Sequence, residues 1–337
     1  MKRVVTIGGG GGQAALLRIL RTLPDVQITA VVNVVDDGGS TGRLMKQLGV
    51  QSMGDVRNCL AAMADPKNFL AAILNQRFQD GELAGHAFGN ILLAALEKKH
   101  DSFLEACRQA AELCGVGGRI LPAAAKSPAL VTTFDNGEVV TGQRLLVEKF
   151  WAGIDEKISS APRLTSSVAR LNLEPATPLL KEAETALKEA DVIIIANGDL
   201  YSSVLPFFLL EGVATLWPRL TAKKILLPNA TVTHGHVHGR NIKALIDFFR
   251  AHSATFDVDQ VIIPSVMPPA VAAACANREY GILEDIVTPT ISPEKIIRAS
   301  LLDDTSIIAH DSSLVQRSPI RYNEDALRNV IQNYLYH

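Results

Sequence analysis

The chain has 337 residues, of which 47% are hydrophobic and 20% charged, and its formal net charge is −2. This composition is ordinary for a globular protein with a large core, and the small net charge disfavours nucleic-acid binding through a basic surface. No segment has the roughly 20 consecutive apolar residues of a membrane span, and no signal-peptide pattern precedes the first strand. The sequence therefore predicts a cytoplasmic protein with no membrane span and no nucleic-acid partner.

Apolar runs alternate with helical patterns through most of the chain. The runs are nearly continuous in apolar residues, as are strands of a parallel sheet that is covered on both faces. The alternation predicts a doubly wound, mostly parallel, Rossmann-like sheet of the α/β class. The predicted strands are Val4–Ile7, Ile28–Val35, Val192–Ala196, Lys224–Leu227 and Val261–Ile263, and the predicted helices cover about residues 13–22, 55–64, 87–98, 102–113, 178–189, 240–251 and 323–335.

Residues 119–174 interrupt this alternation with short extended pieces. Leu130–Phe134 and Glu138–Thr141 are joined by Asp-Asn-Gly, and Asn-Gly between extended segments is a hairpin signal. We therefore expect a small β-rich, antiparallel insertion at about 119–174. The rest of the chain is expected to form one α/β domain with it, covering residues 1–337.

Five consecutive glycines follow the first predicted strand and precede a helical pattern. Glycine has no Cβ, so backbone amides can close on a ligand there, and a helix N-terminus adds N–H donors and a positive dipole end. The alternative is a tight turn without a ligand, for which five glycines carry a needless entropic cost. Gln13 stands where a Walker loop would continue with Gly-Lys-Ser or Gly-Lys-Thr, which disfavours a P-loop kinase. The run predicts a phosphate cradle built on Gly9, Gly10, Gly11 and Gly12.

Two adjacent acids end the second predicted strand and lead into a Gly-Gly-Ser-Thr-Gly segment. Ligands of doubly wound proteins bind at this end of parallel strands. Paired acids can bind ribose hydroxyls, hold Mg²⁺ against a diphosphate or orient an attacking hydroxyl, and the alternative is an acidic turn stabilised by its own hydrogen bonds. An NAD ribose site needs one acid, so a dehydrogenase is disfavoured. We expect ligand contacts from Asp36, Asp37, Gly39 and Ser40, with Asp36 and Asp37 as candidate Mg²⁺ ligands.

The segment Gly54–Leu60 begins a helix with charged residues in its first turn. Asp55 is a good N-cap residue. Arg57 and Asn58 follow it, and a positive side chain in the first turn opposes the helix dipole unless an anion or an acid compensates. We therefore expect Arg57 to meet a ligand phosphate or an acid, with an ordinary surface arginine as the alternative. Asn58 is expected to contribute to the ligand pocket.

Another helix start carries His86, Gly89 and Asn90. Gly89 in the first turn permits a close backbone approach, and Asn90 offers both a donor and an acceptor. His86 lies just before the helix, where a histidine more often caps or holds structure than catalyses. All three are predicted to contribute to the ligand pocket.

Two later strand ends add further candidates. Asn197 and Gly198 are expected to form a second wall of the pocket, with Tyr201 available to stack or to donate a hydrogen bond. Three histidines at alternate positions would share one face of an extended segment, so they could bind a metal or simply line a loop. They are His234, His236 and His238.

Four of these segments, in their order and spacing, resemble the YvcK-like (gluconeogenesis factor) family, which is related to CofD, the 2-phospho-L-lactate transferase. The match is specific over about the first hundred residues and continues more weakly to about residue 250. The chain departs from the family where its first loop has only glycines and where Ala-Asn-Gly-Asp replaces Gly-Pro-Gly-Ser at 196–199. The matching segments are Gly8–Gly12, Asp36–Ser40 with Gly42 and Arg43, Gly54–Leu60, and Gly85–Asn90.

The resemblance implies a Rossmann-like core with a pocket for a nucleotide diphosphate. Its YvcK-like members imply a UDP-sugar such as UDP-N-acetylglucosamine, and a regulatory role that links carbon metabolism to cell-wall synthesis and cell shape. We expect a regulatory binder of this kind, acting through a downstream protein partner and with a homodimer as one expected assembly. The CofD branch implies the alternative, an Mg-dependent transferase acting on a nucleotide-diphosphate-activated donor, in which Asp37 would be the catalytic residue that orients or deprotonates an acceptor hydroxyl.

Overall fold

The computed structural model describes residues 1–150, 165–232, 241–276, 280–287, 290–307 and 320–336. Strands and helices alternate along these ranges. The strands are β1 (Lys2–Gly8), β2 (Val26–Val32), β3 (Arg119–Pro122), β4 (Ala129–Phe134), β5 (Val139–Thr141), β6 (Val168–Glu174), β7 (Val192–Ile195), β8 (Lys223–Leu226), β9 (Thr231–Val232), β10 (Gln260–Pro264), β11 (Gly281–Ile282) and β12 (Ile296–Ala299). The α-helices are α1 (Gly10–Leu20), α2 (Gly39–Leu48), α3 (Gly54–Met63), α4 (Phe69–Ile73), α5 (Phe88–His100), α6 (Phe103–Leu113), α7 (Gln143–Phe150), α8 (Lys181–Glu189), α9 (Leu205–Phe208), α10 (Val213–Leu216), α11 (Ile242–His252), α12 (Pro269–Ala276) and α13 (Glu324–Tyr336).

Seven strands form a central parallel sheet in the order β12-β10-β8-β7-β1-β2-β3. In the middle of the sheet, Thr6 pairs with Ala30 of β2 on one side and with Ile194 of β7 on the other. The chain builds outward from β1 first to one side and then to the other, so the topological switch point lies between β1 and β7. The predicted doubly wound, Rossmann-like α/β fold is confirmed.

The helix after the glycine run is fixed to the sheet by a buried amide. The Nε2 atom of Gln13, which is fully buried, donates to the carbonyl oxygen of Thr6 at 3.3 Å, to Thr6 Oγ1 at 3.1 Å and to the carbonyl oxygen of Val31 at 3.1 Å. These bonds join α1 to both β1 and β2. Gln13, the residue that disfavours a P-loop in the sequence, therefore anchors the start of α1 to the central sheet.

The antiparallel part is a three-stranded sheet in the order β5-β4-β6. Thr132 of β4 pairs with Val140 on one side and with Leu171 on the other, so the predicted hairpin is present. The expected start of the insertion at residue 119 is wrong, because Arg119–Pro122 pairs with β2 and completes the central sheet.

Near the expected site, the second strand and the segment after it differ from the sequence prediction. The second strand ends at Val32 and not at Val35, and α2 occupies a segment that reads as a glycine loop. That helix contains two glycines and buries one large apolar side chain, Leu44, so its pattern is weak. Within the described ranges, no helix is both long and apolar enough to cross a membrane.

Candidate functional site

The glycine turn lies at the switch point, in contact with the segment that follows β7. A Cβ added to Gly12 would lie 1.4 Å from the carbonyl oxygen of Asn197, so only glycine fits between α1 and this segment. Gly9 is extended and Gly10 has φ of +62°, a left-handed conformation that favours glycine. Gly8 is the last residue of β1, Gly9 is the N-cap of α1, and Gly10, Gly11 and Gly12 form the first turn of α1.

Three helices begin together at the carboxyl edge, by which we mean the C-terminal ends of the parallel strands. Their N-cap residues are Gly9 for α1, Gly38 for α2 and Met53 for α3, and none of these supplies a side-chain cap. The helix starts touch, because a Cβ at Gly54 would lie 2.6 Å from Thr41 Oγ1. Three positive dipole ends therefore converge at the switch point.

Asp55 does not cap α3 as predicted; it is the second residue of that helix. Its carboxylate instead faces the glycine turn, since a Cβ at Gly9 would lie 2.2 Å from Asp55 Oδ2. The sequence predicted Asp55 as the N-cap of α3, whereas the structure places its carboxylate at the carboxyl edge, against the glycine turn.

Asp36 lies in the same cluster, beside Arg57. Asp36 Oδ1 accepts a 3.0 Å hydrogen bond from the backbone amide of Gly38, and Asp36 Oδ2 would be 2.7 Å from a Cβ at Gly54. Burial raises the pKa of the Asp36 carboxyl, while bonds from Gly38 and Thr41 and the positive charge of Arg57 oppose this. Arg57 is therefore near enough for its charge to act on the Asp36 carboxyl, and its contact with a ligand phosphate stays a prediction. Arg57 Nη2 also donates to Asn58 Oδ1 at 2.8 Å, which orients the Asn58 amide.

Asp37 points away from Asp36, and its roles as an Mg²⁺ ligand and as a catalytic group stay predictions. Its Oδ1 atom accepts a 2.7 Å hydrogen bond from the backbone amide of Arg144 at the start of α7. Burial also raises the pKa of Asp37, and the Arg144 amide and charge oppose this. The adjacent acids thus face two different helix starts. Within the described ranges, no group of three or more His, Cys, Asp and Glu side chains is arranged to hold a metal ion.

Ser40, His86 and Asn90 form one buried hydrogen-bonded cluster. Ser40 Oγ accepts from Asn90 Nδ2 at 3.1 Å and from the backbone amide of Ala87 at 3.4 Å, and it lies 3.0 Å from His86 Nδ1. Because two donors already face the Ser40 oxygen, its own hydrogen is assigned to His86 Nδ1, which puts the imidazole hydrogen on Nε2. Burial, together with two nearby arginines, lowers the pKa of His86, so the neutral form is favoured.

The start of α5 is occupied by the protein itself. A Cβ at Gly89 would lie 2.7 Å from Arg57 Cγ and 2.8 Å from the carbonyl oxygen of Leu74, so Gly89 serves packing and not, as predicted, the approach of a ligand. The Gly89 amide donates to that Leu74 oxygen at 3.0 Å. Asn90 Oδ1 is buried with no hydrogen-bond partner in the part of the chain that the structure describes.

Tyr201 is not available to a ligand. The residue is fully buried, and its ring packs against Phe150 and Phe248 at centroid distances of 5.1 and 5.3 Å. The cause is local: Asp199 Oδ1 accepts from the amides of Tyr201 and Ser202 and caps a π-helical turn that directs the tyrosine inward. The prediction that Tyr201 stacks on a ligand is therefore wrong for this conformation.

Next to the glycine turn, a small cleft of about 60 Å³ follows the ends of β7 and β8. Asn229 Nδ2 donates to the carbonyl oxygen of Gly198 at 2.7 Å and fixes its rim. The cleft combines polar groups at the carboxyl edge with an apolar wall. The lining includes Gly198, Leu227, Asn229, Leu245, Phe249 and Leu283.

One contact at this edge had no signal in the sequence. The side-chain amide of Asn33, just beyond β2, donates to the carbonyl oxygen of Ser203 and so bridges the loops on the two sides of β1. Asn33 falls inside the predicted strand Ile28–Val35, so the sequence gives no indication that its side chain bonds to another loop. The three alternating histidines, His234, His236 and His238, lie outside the described residues.

The fold and this site define a doubly wound α/β protein with a candidate ligand site at its switch point, built from converging helix starts, glycines and a half-buried acid. A family model described as 2-phospho-L-lactate transferase CofD matches residues 4–287. The chain therefore belongs to the CofD family, among its YvcK-like, gluconeogenesis-factor members, as the relatives described next indicate.

The relatives match over most of their length. The chain is 35% identical over 264 residues to the gluconeogenesis factor of Halalkalibacterium halodurans, covering 78% of this chain and 77% of that protein. It is 32% identical over 265 residues to the gluconeogenesis factor of Bacillus subtilis, covering 78% of each. A crystal structure of a UPF0052-family protein from Bacillus halodurans has a TM-score of 0.81 and 30% identity, covering 98% of this chain and 99% of that one.

Proposed function

We propose that the protein is a regulatory factor that binds a nucleotide diphosphate-sugar of the UDP-N-acetylglucosamine type. In this role it would link carbon metabolism to cell-wall synthesis and cell shape. The observation that carries the binding proposal is the convergence of α1, α2 and α3 at the switch point, each without a side-chain cap. Helix starts with glycines are suited to phosphate oxygens, and ligands of this fold class bind at the switch point.

The described geometry suggests a role for each part of the site. The amides of Gly10, Gly11 and Gly12 would hold one phosphate, and those of Gly39 and Ser40 the other. The first turns of α1 and α2 contain no acidic residue of their own, and the carboxylates of Asp55 and Asp36 come to these helix starts from other segments. The apolar wall of the cleft beside Gly198 suits the face of a nucleoside or sugar ring, and the cleft, at about 60 Å³, would have to widen to hold one.

A magnesium ion fits this arrangement through Asp36. Mg²⁺ is usually held by one or two carboxylates together with phosphates and water, and it supplies charge that neutralises a diphosphate. Each acid accepts one backbone amide, Asp36 from Gly38 and Asp37 from Arg144, but of the two it is Asp36 that lies among the starts of α2 and α3. We therefore assign the candidate Mg²⁺ contact to Asp36 alone.

A transferase of the CofD type is the second candidate, and the description of the matching family model favours keeping it. It would use the same diphosphate site and would need a base for the acceptor hydroxyl. The carboxylate predicted for that task, Asp37, accepts the Arg144 amide and is directed to α7. This arrangement supports a binding protein more than a transferase.

Titration calorimetry with UDP-N-acetylglucosamine, UDP, GDP and NAD, each with Mg²⁺, tests the proposal. We expect the uridine nucleotides to bind and NAD to bind weakly or not at all. No binding of any of the four at millimolar concentration would defeat it. A parallel assay for release of nucleotide from the activated donor, with a deazaflavin acceptor present, distinguishes the transferase, which would turn over.

A matched pair of glycine variants localises the site. Gly10 and Gly49 have nearly the same left-handed φ, +62° and +64°, but Gly49 ends α2 far along the helix and a Cβ there meets nothing within 4 Å. Alanine at either position therefore imposes a similar backbone cost, about 1–2 kcal/mol. We expect Gly10→Ala to weaken nucleotide binding at least tenfold and Gly49→Ala to leave it unchanged. Equal affinities in the two variants would place the ligand elsewhere.

A further inference from the structure

The carboxylate of Asp37 performs a task for a helix of the antiparallel region. The Arg144 amide that donates to Asp37 Oδ1 belongs to the second residue of α7. Asp37 Oδ2 occupies the space that a side chain at Gly142 would need, since a Cβ there would lie 2.4 Å away. Asp37 therefore does for α7 what an N-cap residue does, satisfying an amide that the helix leaves open and placing negative charge at its positive end.

The other end of α7 contacts the strand on the opposite side of β1. Phe150, the last residue of α7, packs on Tyr201 in the π-helical turn that follows β7. Strands β2 and β7 are the two neighbours of β1. An eight-residue helix is about 12 Å long and two strand spacings are roughly 10 Å. Helix α7 therefore runs along the carboxyl edge, beside the glycine turn, from the loop after β2 to the turn after β7.

The loop that Asp37 anchors also carries parts of the candidate site. A Cβ at Gly42 in α2 would lie 1.9 Å from the carbonyl oxygen of Asp37, so the backbone of Asp37 packs directly on that helix. A Cβ at Gly38 would lie 3.3 Å from Asp36 Oδ1 and 4.0 Å from Arg144 Cβ. A shift of Asp37 would therefore move both the Asp36 carboxylate and the start of α2.

We infer that Asp37 is a positioning residue: by capping α7 it fixes the Asp36 loop and the start of α2, and so couples the antiparallel region to ligand affinity. This task requires a hydrogen-bond acceptor at the Oδ1 position and no negative charge at the ligand. A base or an Mg²⁺ ligand at this position would require the charge. The capping of α7 by Asp37 is inferred from the geometry of the free protein alone. The coupling to ligand affinity rests on the proposed nucleotide site.

Two substitutions separate these roles. Asp37→Asn keeps an oxygen that can accept from the Arg144 amide and removes the charge, whereas Asp37→Ala removes both. Ser102→Ala is the matched control, because Ser102 Oγ caps α6, a helix that is not part of the candidate site, by accepting from the Glu105 amide at 3.3 Å. Each variant is measured by hydrogen exchange of the 143–150 segment without nucleotide, and by titration with UDP and Mg²⁺.

The hydrogen-exchange measurement tests whether Asp37 caps α7. We expect the 143–150 segment of Asp37→Ala to exchange roughly two- to thirty-fold faster than that of the wild type, the range that a lost cap produces. Asp37→Asn should stay within about twofold, as asparagine caps nearly as well as aspartate. Ser102→Ala should not change exchange in this segment. Unchanged exchange in Asp37→Ala, or equally fast exchange in Asp37→Asn, overturns the inference.

The UDP titration tests whether the capping of α7 affects ligand affinity. We expect Asp37→Ala to weaken UDP binding by a factor similar to its exchange effect, with Asp37→Asn and Ser102→Ala close to the wild type. Loss of binding in Asp37→Asn while 143–150 remains protected would show that the charge acts at the ligand and would overturn the positioning role. Failure of the wild type to bind UDP would remove the proposed function, and the exchange data would then still decide the cap.

Discussion

The carboxylate of Asp55 occupies the space that a side chain at Gly9 would need: a Cβ at Gly9 would lie 2.2 Å from Asp55 Oδ2 and 3.2 Å from Asp55 Cγ. Gly9, the N-cap residue of α1, and Asp55, in the first turn of α3, are therefore in direct contact. Because Asp55 lies in the first turn of α3, its charge is held at a positive helix end. The glycine turn and the start of α3 are therefore one packing unit.

Gly9→Ala should disrupt this unit. The added methyl group must displace the Asp55 carboxylate, and we expect the free energy of unfolding to fall by about 1–3 kcal/mol, as for other overpacked sites. Nucleotide affinity should fall as well, because the turn moves with Asp55. Gly117→Ala is the control, since a Cβ there meets nothing within 4 Å. Chemical denaturation and UDP titration measure both effects, and equal behaviour of the two variants would contradict the packing argument.

Asp36→Asn should stabilise the free protein at neutral pH. Burial raises the pKa of Asp36 above the ordinary value of 3.8, so the native state binds its proton at higher pH than the unfolded chain does. The ionised carboxylate therefore lowers stability at neutral pH, and stability is regained as the pH falls through the raised pKa towards 3.8. The variant should lose this dependence and should bind UDP more weakly when Mg²⁺ is present.

Asp65→Asn is the matched control for Asp36→Asn. Asp65 accepts a hydrogen bond from the amide two residues on, at 2.9 Å, just as Asp36 does, but Asp65 is exposed. Removing this exposed charge should change neither the free energy of unfolding at pH 7 nor the affinity for UDP. Denaturation curves between pH 5 and 8 compare the variants, and a destabilised Asp36→Asn at pH 7 would contradict the burial argument.

His86 should make the fold sensitive to acid. Its pKa lies below the ordinary 6.5 because of burial and nearby arginines, so the unfolded chain binds the proton more readily than the native state does. Stability is therefore lost as the pH falls from 6.5 through the lowered pKa. Protonation would also break the bond that Ser40 donates to Nδ1.

His86→Gln should remove this acid sensitivity, because a glutamine oxygen can accept from Ser40 without titrating. At pH 7 we expect a loss of roughly 1 kcal/mol from the changed packing and hydrogen bond. His100→Gln, at the exposed other end of α5, is the control. Thermal unfolding from pH 5 to pH 7.5 provides the comparison; the same acid dependence in His86→Gln as in the wild type would contradict the assignment.

The sequence was sufficient to bring the glycine run and the Asp36 loop to one place, because consecutive parallel strands end at the same edge of a sheet. It could not tell the two adjacent acids apart. Asp37 turns towards Arg144, a partner 107 residues away in the chain, and no local pattern records that bond. The prediction for Tyr201 is wrong for a related reason. The direction of its side chain depends on a π-helical turn that is capped by Asp199, whereas the sequence around Tyr201 is typical of an open loop.

The start of α11 depends on a fully buried carboxylate, that of Asp285. Its Oδ2 atom accepts from the amide of Ile242 at 2.5 Å, and its Oδ1 atom accepts from the amide and the hydroxyl of Thr290 at 2.7 and 2.6 Å. Since these partners donate to both oxygens, Asp285→Asn would turn an amide N–H₂ group towards a donor. Unfolding free energy should fall by about 1–3 kcal/mol, the cost of leaving a buried polar group unsatisfied.

The same substitution should also weaken ligand binding at the cleft, because Leu245 and Phe249 of α11 form part of its wall. Asp247→Asn on the same helix is the control: its carboxylate is half exposed and pairs with Lys243, so its loss should cost at most about 0.5 kcal/mol. Urea denaturation of both variants, with unchanged m-values, measures the difference. If Asp285→Asn were as stable as Asp247→Asn, the buried carboxylate would not be what holds α11 against the cleft.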